Sequence, residues 1–113
     1  MRTVKESLTY IQGYRWNMLN INHIEECLKD PKCKGEKKEE YLRRLNHALD
    51  RKREIEDTIQ RVPDDRLVML LQLVYIEDLS LEMVADRMGL SYSHIAKLHR
   101  KAIASIALPD STG

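Results

Sequence analysis

Residues Leu79–Ile103 read LSLEMVADRMGLSYSHIAKLHRKAI, and the placing of their apolar, small and glycine residues decides how this part of the chain folds. Counted from Leu81, Val84 and Ala85 fall on the inner face of a first helix, Met88 follows one turn later and Gly89 opens a turn. Leu90, Ile95 and Leu98 complete the inner set. Ala85 is small where two helices must cross closely, and Gly89 can take the left-handed conformation that ends one helix and redirects the chain without a Cβ clash. Each helix has its own start signal. Ser80 and Ser91 can cap orphan N–H groups, and Leu79 with Val84 and Leu90 with Ile95 have the spacing of a hydrophobic staple.

On the second helix, Ile95, Leu98 and Ala102 turn inward, which leaves Tyr92, Ser93, Ala96, Lys97, Arg100 and Lys101 toward solvent. From Ser91 to Ile103 there are three cations (Lys97, Arg100, Lys101), two histidines (His94, His99) and no acid, a local charge of +3. An ordinary αα-hairpin shares the amphipathic spacing. The small inner residue, the turn glycine, the two caps and the acid-free second helix together specify a helix-turn-helix whose second helix is expected to enter a groove of double-stranded DNA.

At these residues the chain resembles a known family. The run Tyr75–Ile103, YIEDLSLEMVADRMGLSYSHIAKLHRKAI, is similar to region 4 of bacterial sigma factors, with an aliphatic helix, a short Leu-Ser linker, a Val-Ala helix, Gly-hydrophobic-Ser and then a recognition helix. It is also similar to the C-terminal half of small transcription regulators from phages and prophages of Gram-positive bacteria, late-gene activators of the ArpU and RinA kind. The resemblance covers about the last 45 residues, and the first 60 or so match those regulators in coiled character only. It implies binding near a promoter and contact with host RNA polymerase, and it puts Ser91, Tyr92, Ser93, Ala96, Lys97 and Arg100 at DNA-facing positions. Primary sigma factors carry long polar or charged side chains where this chain has Tyr92, Ser93 and Ala96, which implies a target other than the usual −35 hexamer. No stretch resembles the segment that melts the −10 element.

Length and composition set bounds on the rest. A chain of 113 residues with three prolines, four glycines, no phenylalanine and 33% charged residues suits an all-α protein: one compact unit with an extended helical appendage. Residues 1–62 hold 14 Lys+Arg and 11 Asp+Glu, net +3, whereas residues 63–113 hold 5 and 7, net −2. An acidic half that still carries a basic helix points to a focused patch, with Asp64, Asp65, Glu77, Asp78, Glu82 and Asp86 directed elsewhere, and to weak binding by a single copy. No apolar run approaches the roughly 18 residues that cross a bilayer, and no signal-peptide core is present, so the expected location is the bacterial cytoplasm, away from membranes. Two cysteines then read as free thiols.

Ahead of the helix-turn-helix the pattern is an antiparallel, coiled-coil-like hairpin. In residues 3–29, Val4, Ile11 and Met18 share one heptad position and Tyr14, Ile21 and Leu28 another, with Leu8 and Ile24 widening the stripe; Ser7 and Glu25 interrupt it. Trp16 lies off the stripe and is expected to be partly buried against the second helix. Asp30–Lys38, DPKCKGEKK, reads as a basic connector, and a second helix over Glu39–Val62 places Tyr41, Ala48, Ile55 and Val62 at seven-residue intervals, with Leu45 and Ile59 between them and Glu39–Arg43 and Glu40–Arg44 as ion pairs. His23, Cys27, Cys33 and His47 match no familiar zinc spacing, so no metal or other cofactor is expected. Pro63 ends the hairpin, giving a division into an oligomerisation hairpin (1–62) and a DNA-binding domain (63–113). Leu67–Ile76 is apolar nearly all round and needs covering on two sides. The pattern stops after Ile106, and Asp110–Gly113 is expected to fray.

The function expected from these readings is a DNA-binding transcription regulator acting at promoters as a homodimer. Arg87 and Lys101 would anchor phosphates, and Lys97 and Arg100 would make the strongest contacts. Two alternatives use the same features: a mimic of sigma region 4 that occupies its polymerase surface, and a phage small terminase subunit, which would form rings. No Walker loop, nucleophile elbow or paired-carboxylate site is present, and an enzyme is not expected.

Overall fold

The computed structural model describes residues 3–107; the fraying expected of the C-terminal tail lies outside them. Five α-helices and one π-helical segment follow in order: α1 Val4–Lys29, α2 Gly35–Gln60, α3 Asp65–Leu71, the π segment Gln72–Ile76, α4 Leu81–Met88 and α5 Tyr92–Ala104. No helix among the described residues is long and apolar enough to cross a membrane.

Helices α1 and α2 form the hairpin. Thr3 starts α1 by accepting from the Glu6 N–H at 3.1 Å, and Ile11, Tyr14, Ile21 and Ile24 are buried along the seam. Burial begins at Ser7, one turn later than the heptad pattern suggests, and Val4 is left exposed. Three polar contacts set the antiparallel register: Tyr10 Oη to Thr58 Oγ1 at 3.3 Å, Tyr14 Oη donating to Glu56 at 2.7 Å, and Asn17 Nδ2 donating to the Ala48 carbonyl at 2.8 Å. Thr58, almost fully buried, satisfies its hydroxyl by donating to the Glu54 carbonyl one turn back.

Several expectations for the hairpin are corrected. Trp16 is 76% exposed rather than packed on α2: it sits two residues, and so about 200° of helix rotation, from Tyr14 on the seam. The connector is shorter than the charge run suggested, because α2 begins at Gly35. After that glycine the segment Glu36–Glu40 contains only good helix formers, with an acid in the first turn, so nothing delays the helix to Glu39. Arg43 bonds Glu40 rather than Glu39, and Arg44 shares the same carboxylate, at 2.6 and 3.0 Å. Of the residues weighed as a metal set, His23 and Cys27 touch across 3.7 Å, Cys33 is buried as a free thiol, and no group of three or more His, Cys, Asp or Glu among the described residues is arranged to hold a metal.

Asp64 caps α3 through the Arg66 N–H at 2.9 Å. The apolar run is covered on both sides, with Leu67, Leu70, Leu71 and Leu73 buried between α5 and the hairpin. One continuous core results, since Ile11, Tyr14, Ile55 and Ile59 from the hairpin belong to the same cluster as Leu70, Val84, Ile95 and Ile103. Where α3 ends the backbone widens into the π segment, closed by Glu77 N–H to the Gln72 carbonyl at 2.9 Å. Asp78 follows in the left-handed region (φ 59°) with its carboxylate 3.5 Å from Arg15. These contacts set the angle at which α4 leaves the hairpin.

Candidate nucleic-acid interface

Ser80 accepts from the Met83 N–H at 3.2 Å and starts α4; Val84 and Ala85 are buried on its inner face. The helix ends at Gly89, whose φ of 68° and ψ of 33° lie in the left-handed region. Leu90 N–H donates to the Ala85 carbonyl at 2.9 Å and Gly89 N–H to the Asp86 carbonyl at 3.3 Å. This pair of bonds is the Schellman arrangement, which satisfies the last carbonyls of α4 while reversing the chain. Leu90 packs on the core, and Ser91 caps α5 by accepting from the His94 N–H at 3.1 Å. The turn is thereby fixed at both ends by hydrogen bonds that were legible in the sequence.

Along α5, Ile95, Leu98, Ala102 and Ile103 are buried. Ser91, Tyr92, Ser93, Lys97, Arg100 and Lys101 are exposed, as is His94. Ala96 is half-buried instead of solvent-facing, because it lies on the flank of the helix that also carries Ile103, seven residues on. Among the described residues, no carboxylate comes within ion-pair distance of Lys97, Arg100, Lys101 or Arg87. Of the acids that precede α5, Asp64 caps α3 and Asp78 faces Arg15, while Glu82 and Asp86 are exposed on α4. The result is an uncompensated positive face on a helix held rigidly from beneath.

One contact behind this face joins two segments distant in sequence. Tyr75, on the π segment, and His99, on α5, stack at 5.8 Å between ring centroids, with Tyr75 Oη 2.6 Å from His99 Nε2. Burial pushes the Tyr75 hydroxyl up to about 12 and holds His99 below the ordinary imidazole value. Both groups are therefore neutral near pH 7 and share a single hydrogen bond that pins α5 to the π segment. The two residues are 24 apart in sequence, so no local periodicity could have joined them.

Residues 64–107 match the model of the family Sigma-70, region 4. The matched stretch runs from the Asp64 cap of α3 to just beyond α5, so the C-terminal part of this all-helical chain is a sigma region 4-like helix-turn-helix. The chain matches no curated protein and no solved structure.

Proposed function

We propose that this protein is a DNA-binding transcription regulator that places α5 in the major groove. The observation carrying this reading is the unpaired basic face of α5, presented by a capped, glycine-terminated turn inside a stretch matching a family of DNA-binding domains. Lys97 and Arg100, the central exposed cations, read base edges. Lys101 and Arg87 hold backbone phosphates, and Tyr92 and Ser93 at the amino end of α5 supply hydrogen bonds and contact with thymine methyl groups. Ser91 and Ala96 let the helix approach closely.

The finer reading is action at a promoter by two copies paired through the hairpin, in a protein of phage or prophage type. Pairing is supported by the exposed Trp16 (76%) and Leu19 (55%) on the outer side of α1, and by the weak affinity that three cations on one helix can supply alone. Selection of bound duplexes from a random pool tests the specificity, and a two-fold-symmetric consensus is the expected result. In a gel shift with the selected site, Lys97→Ala with Arg100→Ala should weaken specific binding by about two orders of magnitude, each lost base contact costing about 1–3 kcal/mol. Unchanged affinity in a folded double variant removes α5 from the interface.

A further inference from the structure

On the hairpin, away from α5, Asn17 and Asn20 of α1 and Arg43, Arg44, His47 and Arg51 of α2 line a cleft of 490 Å³. Its own polar lining is guanidinium, imidazole or amide, and the adjoining hollow that shares His47 and Arg51 brings in the carboxylates of Asp50 and Glu54. Arg44, His47 and Arg51 stand at i, i+3 and i+7, a stripe about 10 Å long down one helix. Their counter-charges are incomplete. Glu40 is shared by Arg43 and Arg44, and Arg51 reaches Glu54 at 3.5 Å while its guanidinium lies 5.1 Å from the Tyr10 ring. Three guanidinium groups thus face two carboxylates, through exposed pairs within one helix that are weak and readily exchanged for a better anion.

The position of the cleft separates it from the helix-turn-helix. Ile11, Gln12 and Arg15 of α1 meet the π segment and Leu79, whereas Asn17 and Asn20 point about 160° away around the helix axis. On α2, Glu56, Ile59 and Gln60 meet Gln72 and Ile76, and the arginine stripe lies about 140° from them. The cleft therefore opens on the flank of the hairpin opposite the one that carries α3–α5. Planar guanidinium forks two helical turns apart, with the His47 imidazole between them and the Asn20 amide facing them, suit a row of phosphates better than a single carboxylate.

We infer that this cleft is a second nucleic-acid contact, gripping the phosphodiester backbone of a stretch other than the one lying against α5. The inference rests on the DNA-binding reading of α5 but is tested apart from it. Hairpin and helix-turn-helix then contribute phosphate contacts from opposite sides of the molecule.

The test is fluorescence anisotropy of the full chain with a random-sequence duplex of about 20 base pairs, titrated across a salt series. Arg44→Gln with Arg51→Gln should lower the salt slope by about 2, at about 0.9 per phosphate released, both in the wild-type background and in Lys97→Ala/Arg100→Ala. Arg44→Lys with Arg51→Lys should keep most of the slope, and Glu40→Gln, which frees two guanidinium groups, should tighten binding a few-fold. A slope unchanged by the glutamine pair in both backgrounds overturns the inference, as does binding of poly-glutamate in preference to duplex. If instead α5 were not the specific reader, Lys97→Ala/Arg100→Ala would be silent in the gel shift with the selected site, an outcome that leaves the readout of the cleft on the random duplex intact.

Discussion

Replacing Gly13 and Gly89 by alanine, one at a time, isolates backbone conformation from packing, because a Cβ built at either position meets no atom within 4 Å. Gly13 lies in the interior of α1, where alanine is better than glycine by about 0.5–1 kcal/mol. Gly89 sits at φ 68°, where an L side chain costs about 1–2 kcal/mol. Alanine restricts the unfolded chain equally at both sites, so the difference between the variants is the cleaner quantity: about 1.5–3 kcal/mol. At about 4 °C per kcal/mol for a chain of this size, Gly13→Ala should melt about 2–4 °C above the wild type and Gly89→Ala about 4–8 °C below it. Circular dichroism melts with matched urea titrations measure both, and Gly89→Asn should recover part of the loss because asparagine tolerates the left-handed region. Shifts of the same sign, or a neutral Gly89→Ala, refute the claim that the turn depends on a left-handed residue.

Two further outcomes are expected. Ser80→Ala and Ser91→Ala each remove a side-chain acceptor from a helix start and should each cost about 1 kcal/mol in urea unfolding, while replacement by aspartate should cost little. The second concerns His99, which burial holds below its ordinary value of 6.5. The unfolded chain takes up this proton near 6.5 and the folded chain only at lower pH, so the contribution to stability is complete above pH 6.5 and is lost as pH falls toward the folded value. Denaturation midpoints at pH 7.5 and 5.5 should therefore differ more in the wild type than in His99→Asn, and equal differences would exclude His99 as the source.

Features encoded within one or two helical turns were legible from the sequence. Ser80, Gly89 and Ser91 do their work through neighbours three to five residues away, and the Tyr14–Ile21 seam repeats every seven. What escaped reading depends on contacts between distant segments. Leu67–Ile76 is apolar on nearly every side, so its periodicity could not show where α3 gives way to a π turn, nor that Tyr75 would meet His99. Trp16 departs from expectation because an isolated tryptophan in a hydrophobic pattern is usually covered, whereas here the covering helix is committed to the opposite side by Tyr14, Ile21 and Ile24. The basic cleft escaped for a related reason. Taken singly, Arg44 and Arg51 are surface residues of an ion-rich helix, and Asn17 and Asn20 are polar positions off the seam. They become one site only once Tyr10 is set against Thr58, Tyr14 against Glu56 and Asn17 against Ala48, since that register brings Asn20 opposite the Arg44–His47 turn. The three contacts are individually modest, and a slip of one helical turn would separate the amides from the guanidinium stripe while leaving the apolar seam partly matched. The polar pairs along the hairpin therefore select the register as well as stabilising it, and the existence of the second basic surface follows from that selection.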